Sequence, residues 1–441
     1  MKIKSLLFFF GINFLLFAVQ LFPQQQKLSI KEAINIALEN NYEIRIAKSD
    51  ASISDNNYSL GNAGFLPKVD VTGSRTQAVT AIQQEYASGQ TVDRPGSRTS
   101  TTNAGVALSW TLFDGFKMFT SYSKLKEYKE LGEIKLRSQI ENSLLDVIKT
   151  YYDIVRQKYN YDVAKESVNI SEERVKLAGE KLSVGSASNL DLLRAKVDLN
   201  ADKSNLLNQE VILSSLKVTL NRLLSRNVAL DFDVDEIIDV KEGLSFDQLK
   251  EAAFNNNADL LQAEKNKSIS SFDVTLLRSD FFPKINLLGG YSYQRTQSEA
   301  GFFRINTNFG YNYGMNLTWN LFSGWTTRLQ YENALITLDR DEIKLNSVKT
   351  TLESNLLIAY KNYEKNLEIL KLEEENVSVA KENLELALEQ LKLGSISPLE
   401  FREVQRNYIS AQSRFSSAQY IAKMSESDLL KQSGSLIPQE I

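Results

Sequence analysis

Residues 28–225 and 244–433 carry the same pattern twice. Leu28-Ser29 and Asn40-Asn41 return as Leu244-Ser245 and Asn256-Asn257, and Phe65-Leu66-Pro67-Lys68 returns as Phe281-Phe282-Pro283-Lys284, all shifted by 216. Further on, Trp110-Thr-Leu-Phe-Asp-Gly115 matches Trp319-Asn-Leu-Phe-Ser-Gly324, and Val184-Gly185-Ser186 matches Leu393-Gly394-Ser395, shifted by 209. The offset drops by seven between Gly73 and Trp110, which predicts one longer loop in the first half. Such a duplication predicts a pseudo-symmetric architecture of two equivalent halves. It points away from an enzyme, whose catalytic groups are usually unlike one another.

Composition narrows the chemistry. The chain has no Cys and no His. Thiol nucleophiles, disulfides, Ser-His and Cys-His catalysis and His- or Cys-based metal sites are therefore excluded. No cofactor is expected. Lys2 and Lys4 precede an apolar run from Leu6 to Phe22, the pattern of an export signal over residues 1–23. A lipid anchor on a processed cysteine is impossible. The net charge of −4 becomes −6 without Lys2 and Lys4, which gives no invitation to nucleic acid. No other segment reads as a membrane-spanning helix, so any membrane part must be β-structure.

Two long helical tracts dominate. Tyr161, Ala164, Val168, Ser171, Val175, Ala178 and Leu182 step by three and four, as do Leu370, Val377, Ala380, Leu384, Ala387 and Leu391. That is a coiled-coil seam. Beyond each Gly turn the apolar pattern resumes, with Leu192, Leu199, Leu206 and Leu213 matched by Phe401, Tyr408, Phe415 and Ala422. Each half thus holds an antiparallel helical hairpin. The outgoing helices, Phe116–Val184 and Trp325–Leu393, are about 105 Å long at 1.5 Å per residue. The returning helices, Leu190–Leu224 and Leu399–Lys431, have half that length, as do the opening helices Ser29–Gly61 and Ser245–Arg278. One returning helix stacked end to end on one opening helix matches one long helix, with the stretch Arg226–Gly243 at the waist.

Strands are expected between the opening and long helices. Val106, Leu108, Trp110 and Leu112 alternate with small or polar residues, as do Met315, Leu317, Trp319 and Leu321; Val69-Val71 and Ile285-Leu287-Tyr291-Tyr293 supply partners. One apolar face over about ten residues fits a membrane β-strand. A soluble sheet on a core is the alternative, but the helices show seams for one another and no spare apolar face for a sheet. Four strands cannot close a barrel and open edges do not survive in lipid, so the membrane reading requires an oligomer.

The opening Leu28-Ser-Ile-Lys-Glu-Ala-Ile-Asn-Ile-Ala-Leu-Glu-Asn-Asn41, the Phe-Leu-Pro strand entry, the Trp-x-Leu-Phe-x-Gly exit and the Gly-turn hairpins together resemble the TolC-like outer-membrane efflux protein family. The resemblance implies a mixed, mainly α fold in which duplicated coiled-coil helices form an α-barrel tunnel. It also implies a homotrimer, four strands per chain completing a 12-stranded transmembrane β-barrel in outer-membrane lipid. The implied partners are a periplasmic adaptor protein and an inner-membrane pump of the RND, ABC or MFS type.

Site residues follow from the same resemblance. The turns Val184-Gly185-Ser186 and Leu393-Gly394-Ser395 correspond to adaptor-docking tips, although Gly there also serves as a plain helix C-cap. The acidic residues that close the periplasmic mouth correspond to Glu400 and Glu403. Ser397-Pro398-Leu399-Glu400 reads as a capping box with Pro at the first helical position, which leaves Glu403 as the better pore candidate. Arg194 matches Glu403 in the first half, so acid and base can alternate around the mouth; Asp191 is the next candidate. The Tyr and Arg that hold some family members shut are replaced by Leu391 and Ile396. Trp110 and Trp319 mark either a membrane interface or packing at the barrel–helix junction.

The expected organisation is a signal over 1–23, a first repeat over 24–225 with a β-hairpin at 66–113, and an equatorial linker over 226–243. A second repeat over 244–433 with a hairpin at 282–322 and a tail over 434–441 complete it. The implied function is a passive outer-membrane exit channel of a tripartite efflux or secretion system, including type I secretion. A periplasmic coiled-coil adaptor or scaffold is the alternative, against which the lipid-facing alternation in both halves stands.

Overall fold

The computed structural model describes residues 27–300 and 303–436. The export signal expected over 1–23 and residues 437–441 of the tail lie outside them. In chain order the elements are β1 (Lys27–Leu28), α1 (Ile30–Asn40), α2 (Tyr42–Asn57), α3 (Leu60–Ala63), β2 (Lys68–Glu85), β3 (Thr91–Phe113), α4 (Lys117–Ser183) and α5 (Asn189–Leu223). After β4 (Asp233–Val234) come α6 (Phe246–Asn256), α7 (Ala258–Ser279), β5 (Lys284–Ser298), β6 (Ile305–Thr318), α8 (Thr326–Leu393) and α9 (Pro398–Gln432). The long helices α4 and α8 have 67 and 68 residues, about 100 Å each.

The opening helices differ from the expectation. Each is broken, at Asn41 and at Asn257, and the break is what makes the stacking work. The Asn41 side-chain oxygen accepts from the Glu43 and Ile44 backbone N–H groups and caps α2, while its Nδ2 donates to Leu223 O at the end of α5, 2.7 Å away. Asn257 repeats the arrangement, capping α7 through the Asp259 and Leu260 N–H groups and donating to Gln432 O of α9 at 3.0 Å. One carboxamide therefore serves the free donors of one helix and a free acceptor of the next. The returning and opening helices meet end to end at these two residues.

We predict that Asn41→Ala or Asn257→Ala each lowers unfolding free energy by about 2 kcal/mol, because a cap and a buried inter-helix hydrogen bond are lost together. A denaturant midpoint unchanged in both variants would reject the double role.

The linker lies at the waist, beside the middle of α4. There β1 pairs with β4 in parallel, and the buried Tyr151 hydroxyl donates to Leu28 O and accepts from Asp235 N. Leu28, Leu144, Val147, Ile154, Phe232 and Val234 form the main core around it.

Helices pack as a strip. One column, α5 with α2, lies against α4; the column α9 with α7 lies between α4 and α8. This explains an asymmetry in the seams. Phe401, Tyr408 and Ala422 on α9 are buried, whereas their counterparts Leu192, Leu199 and Leu213 on α5 are only half-buried. The strip also leaves a second apolar stripe on each outer column, beside the seam that the sequence shows. Leu329, Ile336 and Ile343, then Leu372, Val379 and Leu386, repeat every seven residues along α8 and are exposed. Leu190, Val197, Val211 and Val218 on α5, with Ile46 and Ile53 on α2, do the same at the opposite edge. Both edges carry a coiled-coil stripe that has no partner among the described residues.

The strands form one antiparallel sheet in the order β2-β3-β5-β6. They are longer than expected, at 18, 23, 15 and 14 residues. The seven extra residues of the first half therefore extend the β2–β3 ladder, with a bulge between Thr80 and Ile82, and do not make a longer loop. At the other end β6 stops at Thr318, so Trp319 and Leu321 both lie outside the strand in which the alternation placed them.

Candidate functional site

Alternation gives the sheet two unlike faces. Val69, Leu108, Gly289 and Tyr313 form one cross-strand row; Val71, Val106, Tyr291 and Tyr311 form the next; Gly73, Ala104, Tyr293 and Phe309 form a third. Between these rows, Asp70, Ala107, Gly290 and Asn312, then Thr72, Gly105, Ser292 and Gly310, point the other way. On the first face Val69, Val71, Tyr291, Phe309, Tyr311 and Tyr313 are exposed. Among the described residues no helix packs on this face. On β5 it runs from Ile285 to Tyr293, nine residues, close to what a strand needs to cross a hydrocarbon core. Among the described residues no helix is long and apolar enough to cross a membrane.

The two tryptophans anchor the sheet to the helices. Trp110 Nε1 donates to Phe65 O at 2.9 Å and Trp319 Nε1 to Phe281 O at 3.0 Å. Each indole ties the strand exit to the strand entry of its own half, at the junction between sheet and helices. The next corner turns on paired left-handed residues, Gly115 with Phe116 and Gly324 with Trp325, which swing the chain from strand to helix.

At the opposite end the two hairpin turns share one design. Gly185 and Gly394 have φ of 77° and 78°. Ser186 N bonds to Lys181 O and Ser395 N to Gln390 O, each closing a Schellman motif. Val184 and Leu393, beside the glycines, are 77% and 81% exposed, so each tip presents an aliphatic side chain to solvent. Within one chain the tips adjoin: Lys181 Nζ donates to Leu391 O at 2.9 Å, and a cavity of about 440 Å³ lies between them, lined by Leu177, Lys181, Asp191 and Pro398.

The acidic candidates divide into two kinds. The Glu400 carboxylate accepts from Ser397 N at 2.7 Å in a complete capping box, and these hydrogen bonds hold its pKa below the usual range. Asp191 does the same with Ser188, whose hydroxyl and N–H hold its pKa down. Both carboxylates are committed to helix ends. Glu403 and Arg194 are exposed, and no ion pair joins them within the described residues.

A polar cluster that sequence reasoning missed lies just behind the tips. Arg402 of α9 forms a bidentate pair with the buried Asp202 of α5, at 2.8 and 2.9 Å. Ser171 of α4 donates to the same carboxylate at 2.5 Å. Arg174 of α4 pairs with Asp198 at 3.1 Å and lies over the Phe401 ring; burial pushes its pKa down. The cluster joins both helical hairpins. Its one sequence signal is the pair Asp198 and Asp202, four apart on a leucine-spaced helix, but the partners Arg402 and Ser171 are distant in sequence.

A family model described as "Outer membrane efflux protein" matches residues 33–225 and 249–435, one stretch in each half. The chain belongs to this family. As an outer membrane efflux protein it is located in the outer membrane and serves as an efflux or secretion channel there. It is 21% identical over 404 residues to the alkaline protease secretion protein AprF of Pseudomonas aeruginosa, covering 89% of this chain and 82% of that protein. It is 23% identical over 397 residues to the toluene efflux pump outer membrane protein TtgC of Pseudomonas putida, covering 87% and 78%. The fold matches the crystal structure of the Campylobacter jejuni CmeC outer membrane channel with a TM-score of 0.76 at 18% identity, over 93% of this chain and 87% of that one.

Proposed function

We propose that three copies close into one duct that passively conducts cargo from an inner-membrane pump, through an adaptor, across the periplasm and outer membrane. The observation that carries this reading is the pair of unlike open edges. Among the described residues strand β2 and strand β6 each have one side unpaired, and open strand edges are not tolerated in lipid. The apolar heptads on α8 and on α5 with α2 stand at the two matching edges of the helical strip. One rotation that joins β6 to β2 also joins these stripes, and a closed ring then leaves no edge. Four strands per chain and three chains give the twelve-stranded barrel that the resemblance implies. The exposed Val184 and Leu393 tips are the surfaces offered to the adaptor. The relatives' names speak of both efflux and protease secretion, and a wide aqueous duct leaves the choice of cargo to the pump.

At the mouth, we assign Glu403 to a ring of three carboxylates, since Glu400 and Asp191 are held by their caps. Such a ring favours cations and binds multivalent ones more tightly. In planar bilayers the purified protein should conduct as a trimer, with cation selectivity and block by trivalent metal ions from the tip side. Glu403→Gln should weaken that block by about tenfold, the loss of roughly 1.4 kcal/mol of ion binding. A monomer fully soluble without detergent ends the trimer reading; equal block in wild type and Glu403→Gln ends the ring.

A further inference from the structure

The lipid-facing side of the sheet does not end in neutral polar residues alone. Immediately beyond the row Gly73, Ala104, Tyr293 and Phe309, the same face carries Arg75, Thr102, Arg295 and Thr307 in a single cross-strand row. Two arginines thus flank a small hydroxyl residue across three adjacent strands, one row above an aromatic margin. The next rows hold Gln77, Ser100, Gln297 and Ile305, then Val79 and Arg98. There the face opens into a groove of about 730 Å³ whose lining includes Arg75, Arg98 and Arg304. The one carboxylate in the groove, Glu299, accepts from the Arg98 backbone N–H at 3.1 Å. Among the described residues neither Arg75 nor Arg295 forms an ion pair, and both are exposed.

We propose that this arginine row is a binding site for the phosphorylated headgroup of an outer-leaflet lipid. The proposal rests on the channel reading, which sets this face against lipid with the strand tips outward. Depth argues for it. An aromatic girdle marks the interface of a membrane barrel, so the next row outward lies among headgroups. Charge argues for it too. An exposed face that needed only water would be satisfied by Thr, Ser and Gln, the types that flank the two arginines at Thr102, Thr307, Gln77, Ser100 and Gln297. Arginine adds a planar fork of donors that matches phosphate oxygens two at a time. Arg75 and Arg295 stand two strand spacings apart, roughly 10 Å, so both guanidinium groups can reach one phosphate above Thr102. The acyl chains of the same lipid would then lie along Tyr293, Tyr291 and Phe309. A phosphorylated amphiphile satisfies both halves of this surface, and a free anion satisfies only one.

The test uses the full protein in non-ionic detergent, titrated with a bisphosphorylated glycolipid, the same lipid with its phosphates removed, and inorganic phosphate. The wild type should bind the phosphorylated lipid at least about tenfold more tightly than the dephosphorylated one, as expected for charge-assisted hydrogen bonds. The double variant Arg75→Gln/Arg295→Gln should lose that preference while keeping its assembly and conductance. Arg75→Lys/Arg295→Lys should keep part of it, because a point charge remains without the fork. Inorganic phosphate in excess should not displace the lipid. A preference of equal size in wild type and the Gln variant overturns the site, and displacement by inorganic phosphate reduces it to a plain anion site and equally overturns the lipid proposal. A protein that conducts yet shows no phosphate preference loses this inference alone, whereas one that fails to conduct loses the channel reading first.

Discussion

Gly115→Ala should destabilise the protein by roughly 3 kcal/mol or more, while the matching Gly324→Ala costs only about 1–2 kcal/mol within the chain. Both glycines have positive φ, at 71° and 62°, so either alanine meets the left-handed penalty. Their surroundings differ. A Cβ at Gly115 would lie 2.6 Å from Ser279 O and 2.7 Å from Phe282 Cβ, one of them backbone that cannot swing aside. A Cβ at Gly324 would meet nothing within 4 Å. Gly115 packs against the second half of its own chain. By the internal pseudo-symmetry, Gly324 in the proposed ring packs against Ala63 and Leu66 of the neighbouring copy. Gly115→Ala should therefore lower the denaturant midpoint of the chain itself. Gly324→Ala should act mainly on trimer formation, visible as a larger monomer fraction after dilution. Equal effects of the two on folding, with no change in assembly, would contradict this division.

Arg402→Ala should loosen the tips at a cost of about 3–5 kcal/mol, because it removes one partner of a buried ion pair and leaves the other uncompensated. Asp202 would keep only the Ser171 hydroxyl, and α9 would lose its bidentate tie to α5. The loss is local to the end where Glu403 stands, so the variant should conduct more in the resting state. Replacing both partners, Arg402→Met with Asp202→Leu, should recover much of the stability, since an apolar pair needs no desolvated charge. A double-mutant cycle measures the coupling, which on these figures is at least about 3 kcal/mol in favour of the pair. Strict additivity of the two single changes would show that the residues do not act together.

Much of this architecture is legible in the sequence because duplication and period report the same elements twice. The heptads of α4 and α8 set helix length, the glycines at 185 and 394 set where each helix ends, and alternation around Val106 and Leu317 sets the sheet faces. The breaks at Asn41 and Asn257 are illegible locally, because a mid-helix Asn becomes a cap only when another helix end arrives to accept from its amide. The exposed stripes of α5 and α8 are written in the sequence, but they are masked by the buried seam that runs beside them on the same helices. The ladder extension of β2 and β3 reads as a loop because Gln77–Thr102 carries no apolar alternation. The Arg402–Asp202 tie spans 200 residues and depends on α5 and α9 flanking the same helix, which no local pattern reports.

The asparagine splices divide the columns mechanically. Along α4 and α8 a torsion applied at the tip travels through an unbroken ladder of main-chain hydrogen bonds past the waist to the barrel. In the other two columns it arrives at Leu223 or Gln432 and passes on through an asparagine amide and the apolar side chains packed around it, without a continuous main-chain ladder. Each chain is therefore a wall of two rigid staves alternating with two jointed ones. Relative rotation of the lower and upper halves strains side-chain contacts at two points and leaves every turn of backbone intact.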